Sequence, residues 1–68
     1  MRFKCRLKVI FAKQEIKQGT FAKKIGLSES ALSSLVTNRT LPSFTNAYVI
    51  AKALNMHVED IWIEEDKK

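Results

Sequence analysis

Residues 18–35, QGTFAKKIGLSESALSSL, decide the fold. Ala22 stands four residues before Gly26, Leu27 follows at once, and Leu32 and Leu35 recur at helical spacing. The pattern predicts one amphipathic helix from about Gln18 to Ile25, a turn at glycine, and a second helix from about Glu29 to Val36. Each position has its own task. Ala22 is small where the two helices cross. Gly26 lies just past the first helix, where the chain needs a left-handed residue and glycine takes that shape at least strain. Leu27 and Leu32 turn inward to hold the crossing. Ser28 can cap the second helix, because its hydroxyl accepts an orphan N–H of the first turn.

Upstream, Arg2, Phe3, Lys4 and Cys5 alternate polar with apolar, which suits a short strand. Leu7, Ile10 and Phe11 then follow helical spacing, and Gln14 and Glu15 extend that helix. Downstream, Thr37-Asn38-Arg39-Thr40 is a polar break, with Asn38 expected in the left-handed region. Pro42-Ser43 is a start signal, Ser43 capping a helix that begins at Phe44. Ala47, Ile50, Ala51 and Leu54 form its apolar stripe, and Asn55 ends it. A last helix turns Val58 and Ile61 inward and sets Glu59 and Asp60 in its first turn, where the dipole favours acids. Trp62-Ile63-Glu64 then runs extended. Either it pairs antiparallel with residues 2–5 in a two-stranded ribbon, which must pack on the helices to be stable, or Phe3 and Trp62 cap the core without strand pairing. The expected architecture is mainly all-α: five helices in one domain over residues 1–68, the central two-helix unit over about 18–36, and a ribbon joining the chain ends.

At 68 residues the chain makes a single domain. So short a chain buries only about 60% of its unfolded surface, and dimerisation is a common remedy. Its hydrophobic content, 46%, is that of a folded protein rather than a disordered one. No apolar run reaches the roughly 18 residues needed to cross a bilayer. MRFKCRLKVIF interleaves charge with apolar residues, unlike a signal peptide. A cytoplasmic location without a membrane partner is therefore expected. The lone cysteine agrees with a reducing compartment. The net charge of +5 is uneven: residues 1–24 carry eight Lys/Arg against Glu15, and residues 25–68 carry four against six acids. A basic amino-terminal half suits a polyanion, and Glu64-Glu65-Asp66 should point away from it. Two crossed helices in a basic chain present the second helix to the major groove of DNA.

The chain resembles the Xre family, the phage-repressor and Cro-like helix-turn-helix regulators. The resemblance spans roughly residues 7 to 62. It rests on Gln18, Ala22, Gly26-Leu27-Ser28, Leu32-Ser33, Leu35, Asn38-Arg39, Pro42-Ser43, Ile50-Ala51, Ala53-Leu54 and Val58-Glu59-Asp60-Ile61. It implies five helices, dimeric binding to a pseudo-palindromic operator in double-stranded DNA, and transcriptional regulation. Repression is the expected mode, and a phage or mobile element the expected origin. Two departures stand out. The family's Arg–Glu ion pair between helices one and three is replaced by Phe11 and Val36, two apolar residues expected to touch in the core. Replacing both partners leaves no buried charge unpaired. The usual cap of helix two is replaced by Lys17, which should weaken that helix by about 1 kcal/mol.

By the same resemblance the base-contacting positions are Glu29, Ser30 and Ser34, with Ser33 nearby. Glu29 can accept from cytosine N4 and serine can bond to any base edge; alternatively, Glu29 serves only its helix dipole. Phosphate contacts fall to Gln18 at the start of helix two, to Ser28, and to Thr37, Asn38, Arg39 and Thr40. Arg39 is the strongest of these, because its fork matches phosphate oxygens. Lys17 and Lys23 are steering charges or simply solvated lysines. Val58, Ile61 and Trp62 are the expected dimer surface, with a protein antagonist as a further partner. His57 reads as the cap of the last helix and Cys5 as core. The sequence carries no catalytic constellation, no metal-ligand spacing, no cofactor motif and no site for a small-molecule substrate. The alternative reading is a protein-interaction module on the same fold, an antirepressor or antitoxin-type subunit.

Overall fold

The structure, a computed structural model, describes residues 2–65. The order of elements is β1 (Arg2–Cys5), α1 (Leu7–Gln14), α2 (Gln18–Ile25), α3 (Glu29–Val36), α4 (Phe44–Leu54), α5 (Val58–Ile61) and β2 (Trp62–Glu65). The fold is mostly helical, with a two-stranded antiparallel sheet. Asp66 lies outside the described residues.

Local chemistry accounts for most boundaries. Ser28 Oγ accepts from the Ala31 N–H at 3.0 Å and opens α3; Ser43 Oγ accepts from the Asn46 N–H at 3.2 Å and opens α4. Gly26 (φ 81°) closes α2, and Asn55 (φ 58°) closes α4. Asn38 (φ 65°) turns the chain after α3, as its sequence position predicts. Glu15 departs from expectation. It does not extend α1 but ends it in the left-handed region at φ 56°, its N–H bonding back to the last turn. The chain must reverse there so that Ile16 can pack against the core. His57 precedes α5, and its N–H donates to Asp60 Oδ2 at 3.4 Å.

The core is one cluster drawn from every helix and from β2. Leu7, Leu32, Ile50 and Ile61 are its largest fully buried side chains. Phe11 and Val36 both belong to it, so the two positions of the absent ion pair are filled with apolar volume. The ring beside Phe11 is Phe21, with centroids 5.1 Å apart. The ribbon forms in the register Arg2↔Glu65, Phe3↔Glu64, Lys4↔Ile63 and Cys5↔Trp62. Phe3 and Cys5 face inward, and the Arg6 N–H anchors the strand end on the Ile61 carbonyl at 2.8 Å. Burial pushes the Cys5 thiol above its ordinary pKa, which keeps it protonated near neutrality.

Two of the residues expected at a dimer surface belong elsewhere. Ile61 is fully buried and Trp62 is 5% exposed, so both are enclosed by their own monomer. The one-turn helix α5 can hold the end of the bundle only by burying them. Val58 is half-buried.

Lys17 has the extended backbone (φ −83°, ψ 126°) that Ser28 and Ser43 share, but makes no side-chain cap bond. Lys17→Ser should therefore supply the missing bond without rearrangement. The expected gain is about 1 kcal/mol, or roughly 4–8 °C in melting temperature for a domain of this size. A thermal melt that does not rise would show that α2 gains nothing from a cap.

Candidate nucleic-acid interface

Helix α3 turns two faces to different surroundings. Leu32, Leu35 and Val36 are buried, while Glu29 and Ser30 are exposed and Ser33 and Ser34 half-buried. The apolar spacing produces this split, because residues three and four apart share a face. Ser30, Ser33, Ser34, Thr37 and Arg39 line one shallow cleft of about 210 Å³. Four small hydroxyl side chains and one guanidinium thus meet on a single surface.

The turn after α3 is fastened on both sides. The Arg39 and Thr40 N–H groups donate to the Ser34 carbonyl at 2.9 and 3.4 Å. Asn38 Nδ2 donates to the Phe3 carbonyl in β1 at 3.1 Å. Thr37 donates its hydroxyl proton to the Ser33 carbonyl at 2.9 Å, so that proton is engaged within the chain. Ser28 is different: as a cap its oxygen accepts, and its own O–H remains a donor.

Of the acids expected to point away from this surface, Glu65 does not, while Glu64 lines a separate apolar groove. Glu65 sits opposite Arg2 in the ribbon and lines a second cleft, of about 270 Å³, with Arg2, Asn38, Arg39 and Thr40. The antiparallel register forces that placement, since pairing Cys5 with Trp62 carries the strand back toward the turn. Arg2 was not among the residues singled out from the sequence. Its contact with the turn joins segments 35 or more residues apart, and no local pattern encodes it. Arg39 lines both clefts, which makes the surface continuous from α3 to the ribbon.

Lys17 stands apart, in a hollow with Glu15, Thr20 and Lys24 beside the end of α4. Gln18 is half-buried at the first position of α2, and Lys23 is exposed in its last turn. Glu29 leans on a neighbouring helix. A Cβ placed on Gly19 would lie 2.7 Å from Glu29 Oε2, so the carboxylate occupies the space that glycine leaves at the uncapped start of α2. A carboxylate there is favoured by the dipole of α2 as well as by that of its own helix. Gly19 thus makes room for Glu29, a use its first-turn position alone does not reveal.

Among the described residues no three His, Cys, Asp or Glu side chains gather where a metal ion could be held. No helix among them is long and apolar enough to cross a membrane.

Comparison with known proteins agrees with this geometry. A family model described as Helix-turn-helix matches residues 7–61. An uncharacterised HTH-type transcriptional regulator of Methanocaldococcus jannaschii is 35% identical over 63 residues, covering 93% of this chain and 96% of the relative. Two uncharacterised HTH-type transcriptional regulators of Archaeoglobus fulgidus are each 32% identical over 63 residues. Both alignments cover 93% of this chain, and 90% and 89% of the two relatives.

The Gly19–Glu29 approach can be tested through stability. Gly19→Ala should add roughly 0.5–1 kcal/mol, the usual gain for alanine over glycine inside a helix, less a small cost for moving a flexible carboxylate. Glu29→Ala should destabilise wild type more than it destabilises the Gly19→Ala background, as measured by urea denaturation. Equal effects in both backgrounds would mean that the two residues are not coupled.

Proposed function

This chain belongs to the helix-turn-helix family, in its Xre-like branch, and from that premise we propose that it is a sequence-specific regulator of transcription. It binds double-stranded DNA as a homodimer and represses by occupying a pseudo-palindromic operator. The observation that carries the reading is the outward face of α3, whose serines share one cleft with Arg39. Ser30, Ser33, Ser34 and Glu29 meet base edges in the major groove. Gln18, Ser28, Asn38, Arg39 and Thr40 hold the sugar-phosphate backbone, which fixes register without reading sequence. Lys17 and Lys23 act at longer range, by steering. Thr37 serves the turn, and because its hydroxyl proton goes to the Ser33 carbonyl it reaches a phosphate only by giving up that bond.

The dimer surface we assign differs from the Val58, Ile61 and Trp62 expected from the sequence. Phe44 is 82% exposed, Leu41 57% and Tyr48 51%. Phe44 and Tyr48 stack with centroids 6.3 Å apart. Beside them lies an apolar groove formed by Phe3, Leu41, Pro42, Val58 and Ile63, with Glu59 and Glu64 also lining it. A protruding aromatic next to an apolar groove is self-complementary, as a two-fold contact between identical copies requires. Lys52, 5.8 Å above the Tyr48 ring, gives the aromatic side the opposite charge to the groove. The occupant is therefore a second copy, with a protein antagonist of opposite function as the competing partner.

Selection of bound duplexes from random DNA should return two related half-sites with centres about 34 Å apart. Affinity for random sequence equal to that for every selected site would overturn the reading. Arg39→Ala should weaken all sites alike and flatten the salt dependence; a changed base preference would deny Arg39 its backbone role. Glu29→Ala should alter preference at one position of each half-site. An unaltered preference would leave Glu29 with helix-end stabilisation alone. In sedimentation, Phe44→Asp should convert a dimer to a folded monomer, checked by circular dichroism. A wild type that stays monomeric at high micromolar concentration, or a mutant that stays dimeric, would remove this surface from consideration.

A further inference from the structure

We infer that the amino-terminal strand is part of the DNA-binding surface, with Arg2 as a backbone-phosphate contact that works alongside Arg39. The inference rests on the DNA-binding reading above and extends it beyond the two-helix unit. Three observations carry it. Arg2 and Arg39 line the same cleft, together with Thr40. Arg39 also lines the serine cleft of α3, so a backbone lying over α3 and its following turn continues toward Arg2. Finally, β1 is fastened to that turn by the Asn38 amide on the Phe3 carbonyl at 3.1 Å. The last bond makes the strand and the turn one unit, so Arg2 stands at a fixed place relative to the reading helix.

The chemistry matches a phosphodiester. Two guanidinium forks and a hydroxyl offer donors that suit its two unesterified oxygens. The alternation of β1 sets Arg2 and Lys4 outward while Phe3 and Cys5 pack inward. Arg6 and Lys8, exposed just beyond the strand, continue the positive charge. Glu65 lines the cleft too and stands opposite Arg2. Its carboxylate repels a phosphate seated in that cleft and so tempers the attraction for DNA of any sequence.

The test is a set of salt titrations on the full chain with a selected duplex and with random duplex. Arg2→Ala should lower the slope of log K against log salt by about 0.9, the value of one phosphate contact, and weaken binding about fivefold at 0.15 M salt. The loss should be the same for selected and random duplex, and the melting temperature unchanged, because Arg2 is exposed. Arg2→Lys should restore the slope. Asn38→Gly keeps the left-handed backbone and removes the bond to Phe3; it should reduce the effect of Arg2→Ala by freeing the strand from the turn. Glu65→Gln should tighten binding in wild type and do so less in the Arg2→Ala background. A wild-type slope for Arg2→Ala, alongside a reduced slope for Arg39→Ala, would overturn the role of the strand and leave the DNA-binding reading standing. A wild type that binds no duplex would overturn that reading and this inference with it.

Discussion

The burial of Ala22 and Leu32 where α2 meets α3 is the constraint on which the rest of the molecule depends. Both side chains are almost wholly enclosed, and both lie in the single core cluster. Ala22 lets the helix backbones approach, and Gly26 allows the chain to turn between them at φ 81°. With Leu32, Leu35 and Val36 committed inward, helical periodicity leaves Ser30, Ser33 and Ser34 no other direction than outward. The outer face is thus a consequence of the inner one. A larger residue at position 22 would tilt α3 and move the serines before it touched any of them. Phe11 of α1, Phe21 of α2 and Val36 of α3 belong to the same core cluster, with the Phe11 and Phe21 rings 5.1 Å apart, and Phe11 and Val36 stand where the resembled family has a charge pair. Apolar filling of such a site avoids the desolvation of two ions.

The helices were legible in the sequence wherever their signals are local. Ser28 and Ser43 each satisfy an N–H three residues ahead, and Asn38, Asn55 and Gly26 take the left-handed shape at the ends of turns. These are short-range contacts, written in consecutive residues. Glu15 reads as helix in the sequence, because its left-handed shape answers to the packing of Ile16 and not to its own preference. Ile61 and Trp62 are ambiguous in the sequence, because an apolar residue looks the same whether it faces its own core or a partner. Only the fold distinguishes the two, and here a one-turn α5 buries them. That burial leaves Trp62 Nε1 enclosed with no acceptor among the described residues.

The candidate site divides along the same line. Glu29 and the serines could be named through the family resemblance, and Arg39 through its chemistry, because they sit on one helix and its turn. Arg2 and Glu65 could not, since they reach the site through the ribbon. The pairing of residues 2–5 with 62–65 could be read as an option from alternation and from an extended run at each end. Its position against the turn after α3 could not, because it depends on the Asn38–Phe3 bond across 35 residues. The same limit explains the reversal at Glu65. An acid near the chain end looks like a solvated tail until the register places it beside two arginines.

The composition of α3 then sets how affinity and selectivity must be divided. Serine reaches only one bond beyond Cβ and offers a single rotatable hydroxyl, so it cannot form the two-pronged contacts that Arg makes with guanine or Gln with adenine. A helix of serines reads bases only when it sits close to the groove floor. Close seating brings Glu29 toward the phosphates as well, which opposes binding. The positive charge that outweighs this repulsion cannot come from α3, whose sequence ESALSSLV holds no Lys or Arg. It must come from the elements on either side. Arg39 and Arg2 of the basic strand β1 line a cleft next to α3, and α2 carries Lys23 and Lys24 in its last turn. On the proposed DNA-binding reading, affinity resides at the edges of the interface and selectivity at its centre. Because the edges are joined to the centre through Asn38 and through the Ala22–Leu32 crossing, neither can shift without the other.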